Sequence, residues 1–153
     1  MNTFEHALHL KVVVKTASEK VEGVELLPNE SGFSWEIVGP ATPQLIYIIE
    51  TFLKAYANKK EAPLPPVDWR KASPFTRKVA KGLTSIPFGE IASYQELATA
   101  IASPKYTRAV GSALGRNPFP LLYPCHRIVS ANGLGGFSCG LPLKKTLLQH
   151  EIG

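Results

Sequence analysis

The stretch IASYQELATAIASPKYTRAVGSALG, Ile91 to Gly115, decides the fold of the second half of this chain. Ser93 followed three residues on by Glu96 is a capping box, in which two side chains satisfy backbone donors at a helix start. The helix so begun, YQELATAIA, stops at Ser103-Pro104, a cap followed by a residue whose missing N–H is harmless in a first turn. A further helix, KYTRAVGSALG, then runs to Gly115, with the breaker Asn117-Pro118 just beyond. Two short helices with a tight break between them predict a helix-turn-helix corner. Upstream, Ser73-Pro74 starts another helix with Phe75, Val79, Leu83 and Ile86 on its apolar face, and IPFGE ends it.

The first third has a different period. HLKVVVKT, KVEGVELL and FSWEIVG are β-branched or alternating runs separated by turn signals such as PNESG, and they predict strands. From Pro43 to about Asn58, apolar residues at 45, 46, 48, 49, 52, 53 and 56 follow helical spacing. EAPLPPVDW, residues 61–69, packs three prolines into four positions and reads as a linker. Two units are therefore expected: an α/β domain over 1–69 and a mostly helical domain over 70–153.

The charge changes sign at the same place. Residues 1–69 hold six lysines, no arginine and nine acids, a net of −3; residues 70–153 hold eleven basic residues and three acids, a net of +8. A basic second half carrying all five arginines suits a polyanionic partner. The longest apolar runs, VVV and LIYII, fall far short of a membrane span. MNTFEHALHLK has no basic start followed by an apolar core, so export is not expected and a cytoplasmic, reducing compartment is. His6 and His9 are assigned to an exposed entry segment.

The chain has two cysteines, Cys125 in YPCHRIV and Cys139. Their spacing with His126 fits no paired-cysteine or helical histidine pattern, so no metal site is expected. A reactive thiol needs a base or a positive charge, and His126 and Arg127 follow Cys125 directly. In extended structure adjacent side chains point to opposite faces, so the sequence alone leaves a buried structural cysteine and a nucleophile both open. Glu151, near the C-terminus, could orient the His126 imidazole. The surrounding segment, residues 117–142, is rich in proline and glycine and reads as irregular, before the short helix LKKTLLQHE.

PFTRKVAKGLTSIPFGEIASYQELA, TRAVGSALGRNP, PCHRIVSANGLGGFSCGL and LLQHE, in this order over about residues 74–151, resemble the methylated-DNA–protein-cysteine methyltransferases, the O6-alkylguanine-DNA alkyltransferases. The resemblance implies a ribonuclease-H-like α/β domain packed on a winged-helix-like domain that contains the helix-turn-helix. It implies a monomer that binds double-stranded DNA through the minor groove, flips out an O6-alkylguanine and transfers the alkyl group irreversibly to Cys125. O4-alkylthymine is a further candidate lesion, and no cofactor or metal is implied.

The roles implied are specific. Cys125 is the nucleophile; His126 is a base acting through water and held by Glu151; Tyr94 donates to the guanine N3. Arg108 enters the duplex in place of the flipped base, with Ala109, Gly111, Ser112 and Arg116 along the same DNA-facing helix. Asn117 braces the turn that carries the active-site loop, and Pro120, Ile128, Phe137 and Ser138 line the base pocket. Phe137 stands where many members have tyrosine, and Cys139 where they have glycine; the N-terminal cysteines that bind zinc in some members are absent. The competing readings are a lesion sensor that does not react, which the presence of Cys125 argues against, and a DNA-binding regulator.

Overall fold

A computed structural model describes residues 8–153. Its first element, β1 (Leu10–Ala17), alternates buried Leu10, Val12, Val14 and Thr16 with more exposed neighbours, as a strand with one face on a core must. β2 (Lys20–Pro28) returns antiparallel to β1, and β3 (Phe33–Val38) lies parallel along β1's other side, giving the order β2-β1-β3. Gly39 closes this sheet at φ +106°, where a Cβ would stand 2.4 Å from the Thr16 carbonyl oxygen; no side chain fits. His9 is exposed and His6 lies outside the described residues.

α1 (Pro43–Ala57) begins as its sequence dictates, with the Thr42 hydroxyl accepting from Leu45 N–H at 3.1 Å and Pro43 at the first position. Leu45, Ile49, Leu53 and Tyr56 form its buried face. The proline-rich segment that follows is extended and docked: Val21 N–H donates to Pro66 O and Asp68 N–H to Val21 O, so it covers the open edge of β2. Trp69 then packs edge-on against Phe119 and Tyr123.

The second half is built on α2 (Pro74–Leu83), α3 (Tyr94–Ile101) and α4 (Thr107–Leu114), which pack against one another. A Cβ on Gly82 would meet Ile101 Cγ2 at 2.6 Å, so glycine is what lets α2 approach α3. The capping box forms as expected, Ser93 Oγ accepting from Glu96 N–H and Glu96 from Ser93 N–H. β4 (Ala92–Ser93) pairs in parallel with β5 (Ile128–Val129), and α5 (Leu141–Ile152) closes the chain. One continuous set of buried side chains runs from the β1 face and α1 through α2, α3 and α4 to α5.

Two expectations are corrected. The helix expected from Pro104 is a 3-10 turn (Pro104–Tyr106) followed by α4, because the Ser103 cap tightens the chain and the Thr107 hydroxyl donates back to Pro104 O at 2.6 Å. Ile86 is not on the α2 face, since that helix ends at Leu83 and its buried face is Thr76, Val79, Ala80 and Leu83. Residues 119–124 are irregular as expected, and the whole run 119–128 is buried.

Candidate active site

Irregular backbone can be buried only if its polar groups find partners, and Asn117 supplies two of them. Its Nδ2 donates to Tyr123 O at 2.9 Å, its Oδ1 accepts from Phe119 N–H at 3.0 Å, and Tyr123 N–H donates to Phe119 O. Between them Leu121 is held at φ +76°, a conformation that costs a bulky side chain about 1–3 kcal/mol. The turn delivers Cys125–Arg127 as a single 3-10 turn. Within the segment read as irregular, Cys125 and His126 are thus successive residues of a tight turn, not opposite faces of a strand.

Cys125 forms part of the wall of a cleft of about 130 Å³, with Tyr94 from the start of α3, Gly111 and Leu114 from α4, and Phe137 and Ser138 from the glycine-rich loop. Pro120 and Ile128 do not line this cleft, and Ile128 is fully buried in the β4–β5 pair. The loop is set by Tyr94. A Cβ on Gly135, at φ +73°, would stand 2.7 Å from the Tyr94 hydroxyl oxygen, and that oxygen accepts from Gly136 N–H at 3.0 Å. Because the Tyr94 hydroxyl is used as an acceptor by the backbone, its own proton is left to donate into the cleft.

Away from the cleft, Glu151 of α5 takes three hydrogen bonds from buried donors. Oε2 accepts from His126 Nε2 at 2.5 Å and from the Tyr56 hydroxyl at 2.5 Å, and Oε1 accepts from Arg127 Nε at 2.7 Å. Burial opposes a charge here, but hydrogen bonding from His126, the charge His126 carries when protonated, and hydrogen bonding from Arg127 and Tyr56 outweigh it and hold the Glu151 carboxyl down at about 2. An ionised carboxylate only accepts, so His126 must carry its proton on Nε2. Its Nδ1 is then a lone pair, buried and with no hydrogen-bond partner among the described residues.

Burial lowers the His126 pKa, with Glu151 opposing, so the imidazole is neutral at pH 7. Burial pushes the Cys125 thiol up to about 11, opposed in part by hydrogen bonding from Asn117 and by the charge of Lys144. At pH 7 only about one thiol in ten thousand would then ionise unaided. The site holds a protonated thiol next to a neutral base whose free nitrogen is defined by its partner.

Lys144 was not anticipated from the sequence. It is fully buried, and its Nζ donates to Ile128 O at 2.6 Å and Gly136 O at 2.9 Å, tying the cysteine turn to the glycine-rich loop. Burial lowers its pKa. The available signal was its position seven residues before Glu151, which puts both on one helical face. Tyr56, expected only as an apolar member of α1, was the other residue missed. Cys139 is half-buried, and burial raises its thiol pKa.

Along the outer face of α4 and just past its end, Arg108, Ala109, Ser112 and Arg116 are exposed, while Gly111 is turned toward the Tyr94 ring. Lys105 precedes them over the Tyr106 ring. The exposed side of α4 is thus basic and lined by small residues, next to the cleft mouth.

Residues 74–152 match the family model described as "6-O-methylguanine DNA methyltransferase, DNA binding domain". The chain is 41% identical over 130 residues to the human protein named methylated-DNA–protein-cysteine methyltransferase, covering 76% of this chain and 62% of that one. It is 39% identical over 135 residues to the protein of that name from Cricetulus griseus, covering 81% and 65%. Its structure superposes on the crystal structure of Mycobacterium tuberculosis OGT in complex with DNA with a TM-score of 0.73 and 29% identity, covering 94% of this chain and 92% of that one. The chain spans from just over half to about two-thirds of the length of the curated relatives it matches. With more than half its length matched and the cysteine turn inside the matched region, the chain belongs to the 6-O-methylguanine DNA methyltransferase family.

Proposed function

We propose that this protein repairs DNA directly, moving the alkyl group of an O6-alkylguanine onto Cys125 in a single irreversible turnover. The observation that carries this reading is the pairing of a cleft-lining thiol with a buried neutral imidazole whose Nδ1 is left open by the Glu151 carboxylate. His126 takes the Cys125 proton through one bridging water. The thiolate attacks the alkyl carbon, the S–C bond forms, and the C–O6 bond breaks with its electron pair passing to the guanine. Tyr94 donates to N3 of the departing base, and the proton removed from sulfur finally replaces the one Tyr94 gives up. The product is a thioether, which thiol exchange does not cleave, so each molecule acts once. No electron is transferred, and the alkyl group passes from O6 to sulfur without a cofactor.

The target base has to leave the helix to reach the cleft, at a cost of about a few kcal/mol. Arg108, exposed at the start of α4, takes the vacated place in the stack and offsets part of that cost. Small residues at Ala109 and Ser112 suit approach of α4 to the minor groove, and Arg116 with the other cations of the basic half supplies phosphate contacts. Asn117 acts as the brace of the cysteine turn, and Phe137 and Ser138 bound the base. We read residues 1–69 as a ribonuclease-H-like α/β domain and residues 70–153 as a winged-helix-like domain, in a cytoplasmic monomer.

Duplex DNA carrying a labelled O6-methylguanine tests the proposal. Label should appear on protein, saturate at one group per chain, and fail to appear with Cys125→Ala. Binding without label transfer would favour a non-reacting lesion sensor instead.

A further inference from the structure

We propose that Tyr56 is a positioning residue of the alkyl-transfer site, its phenolic hydroxyl setting the basicity of His126 through Glu151. The inference rests on the reading of His126 as the base and extends the site into the N-terminal half of the chain.

Tyr56 lies in the last turn of α1, 95 residues before Glu151. Its hydroxyl donates to the same carboxylate oxygen, Oε2, that accepts the His126 Nε2 proton, both at 2.5 Å. The ring packs on Phe88 and His150, and the backbone carbonyl accepts from His150 Nε2 at 2.9 Å, so Tyr56 is fixed at both ends. A side chain needed only to fill the core would have no use for this oxygen. Burial, followed by the Glu151 charge, drives the phenol's pKa well above its ordinary value, so it remains a donor at every working pH.

A second donor on Oε2 draws off part of the charge that His126 sees. Removing it leaves Oε2 more basic, the imidazolium form of His126 better stabilised, and His126 titrating at higher pH. The other groups facing His126 are unchanged by such a substitution: Arg127 on its own turn, Cys125 beside it, and Lys144 of α5. Arg127, bonded to Oε1, keeps the carboxylate ionised without Tyr56.

The test is an NMR titration of the His126 ring in the free protein for wild type, Tyr56→Phe, and a protein carrying 3-fluorotyrosine at position 56. Phenylalanine keeps the ring and removes the donor, and should raise the His126 pKa by about half to one unit, a three- to tenfold gain in proton affinity. Fluorotyrosine keeps the fold and strengthens the donor, and should lower it. Should Tyr56→Phe fail to fold, the fluorotyrosine protein alone decides. An unchanged His126 titration, or one moved upward by fluorotyrosine, overturns the proposal.

The acid limb of the alkyl-transfer rate against pH should move with the titration. A purely structural role would change stability and leave that limb in place. If wild type transfers no alkyl group, the functional reading fails while the titration still decides the Tyr56 coupling.

Discussion

Replacing Glu151 with glutamine removes one charge from a buried site and leaves Arg127, whose side chain is 9% exposed, with no counter-charge in contact among the described residues. Breaking such a pair from one side costs about 3–5 kcal/mol, mostly the burden of the charge left behind. The lowered pKa of the Glu151 carboxyl gives a second figure. A carboxyl lowered from 4.5 to about 2 corresponds to roughly 3 kcal/mol, at about 1.4 kcal/mol per unit. The two routes agree, against a total stability of about 5–15 kcal/mol for a domain. Glu151→Gln should therefore fold at room temperature but lose about 6–20 °C in Tm, at roughly 2–4 °C per kcal/mol for a chain of this size.

Thermal and urea unfolding of wild type, Glu151→Gln and the double variant Arg127→Met with Glu151→Gln form the assay. The double variant removes both charges, so it should recover more than half the lost stability. It should not recover alkyl transfer, because His126 no longer has an obligate acceptor on Nε2. Glu151→Gln within about 1 kcal/mol of wild type, with an unchanged transfer rate, would refute the reasoning; that loss is too small for a charge left unpaired in the interior.

Further outcomes follow from the same geometry. Glu151 has a depressed pKa in the folded state, so its stabilising contribution is complete above the ordinary carboxylate range near 4.5 and is lost as pH falls toward 2; acid unfolding of wild type and Glu151→Gln should converge over that window. Gly135→Ala forces a Cβ against Tyr94 from a backbone at φ +73°, and should slow single-turnover transfer about tenfold or more by displacing the Tyr94 hydroxyl. Lys144→Met keeps the apolar stem and strips the donor from Ile128 O and Gly136 O; a stability loss of about 1–3 kcal/mol and faster amide exchange in residues 130–139 should accompany it. Arg108→Ala should slow repair of duplex DNA far more than reaction with free O6-alkylguanine, which needs no flipping.

How much of this was legible in the sequence depended on the range of the interactions concerned. Local signals held. The Ser73 and Ser93 caps start helices where the sequence placed them, α1 runs from Pro43 to Ala57 as its apolar spacing indicates, and β1 buries its alternate residues. The split before Thr107 was not legible, because proline and a hydroxyl at 107 permit both one helix and a 3-10 entry.

The cysteine turn was legible as chemistry and not as geometry. PCHR names a thiol, a base and a cation, but the compact turn depends on Asn117 bonding across residues 119–123. Tyr56 and Lys144 were illegible for a different reason. An α1 tyrosine on an apolar face and a lysine in a helix read as filler and surface, and only the folded chain shows their polar atoms on Glu151, Ile128 and Gly136. Pro120 and Ile128, assigned to the base pocket by resemblance, sit outside the walls of the Cys125 cleft.

The central claim is that one sulfur atom, that of Cys125, is the acceptor. After reaction with O6-methylguanine duplex DNA, peptide mapping by mass spectrometry should place a single methyl group on the peptide containing Cys125, with Cys139 unmodified. A methyl group on Cys139, or no methylated peptide from a protein that binds the lesion stoichiometrically, would contradict the account.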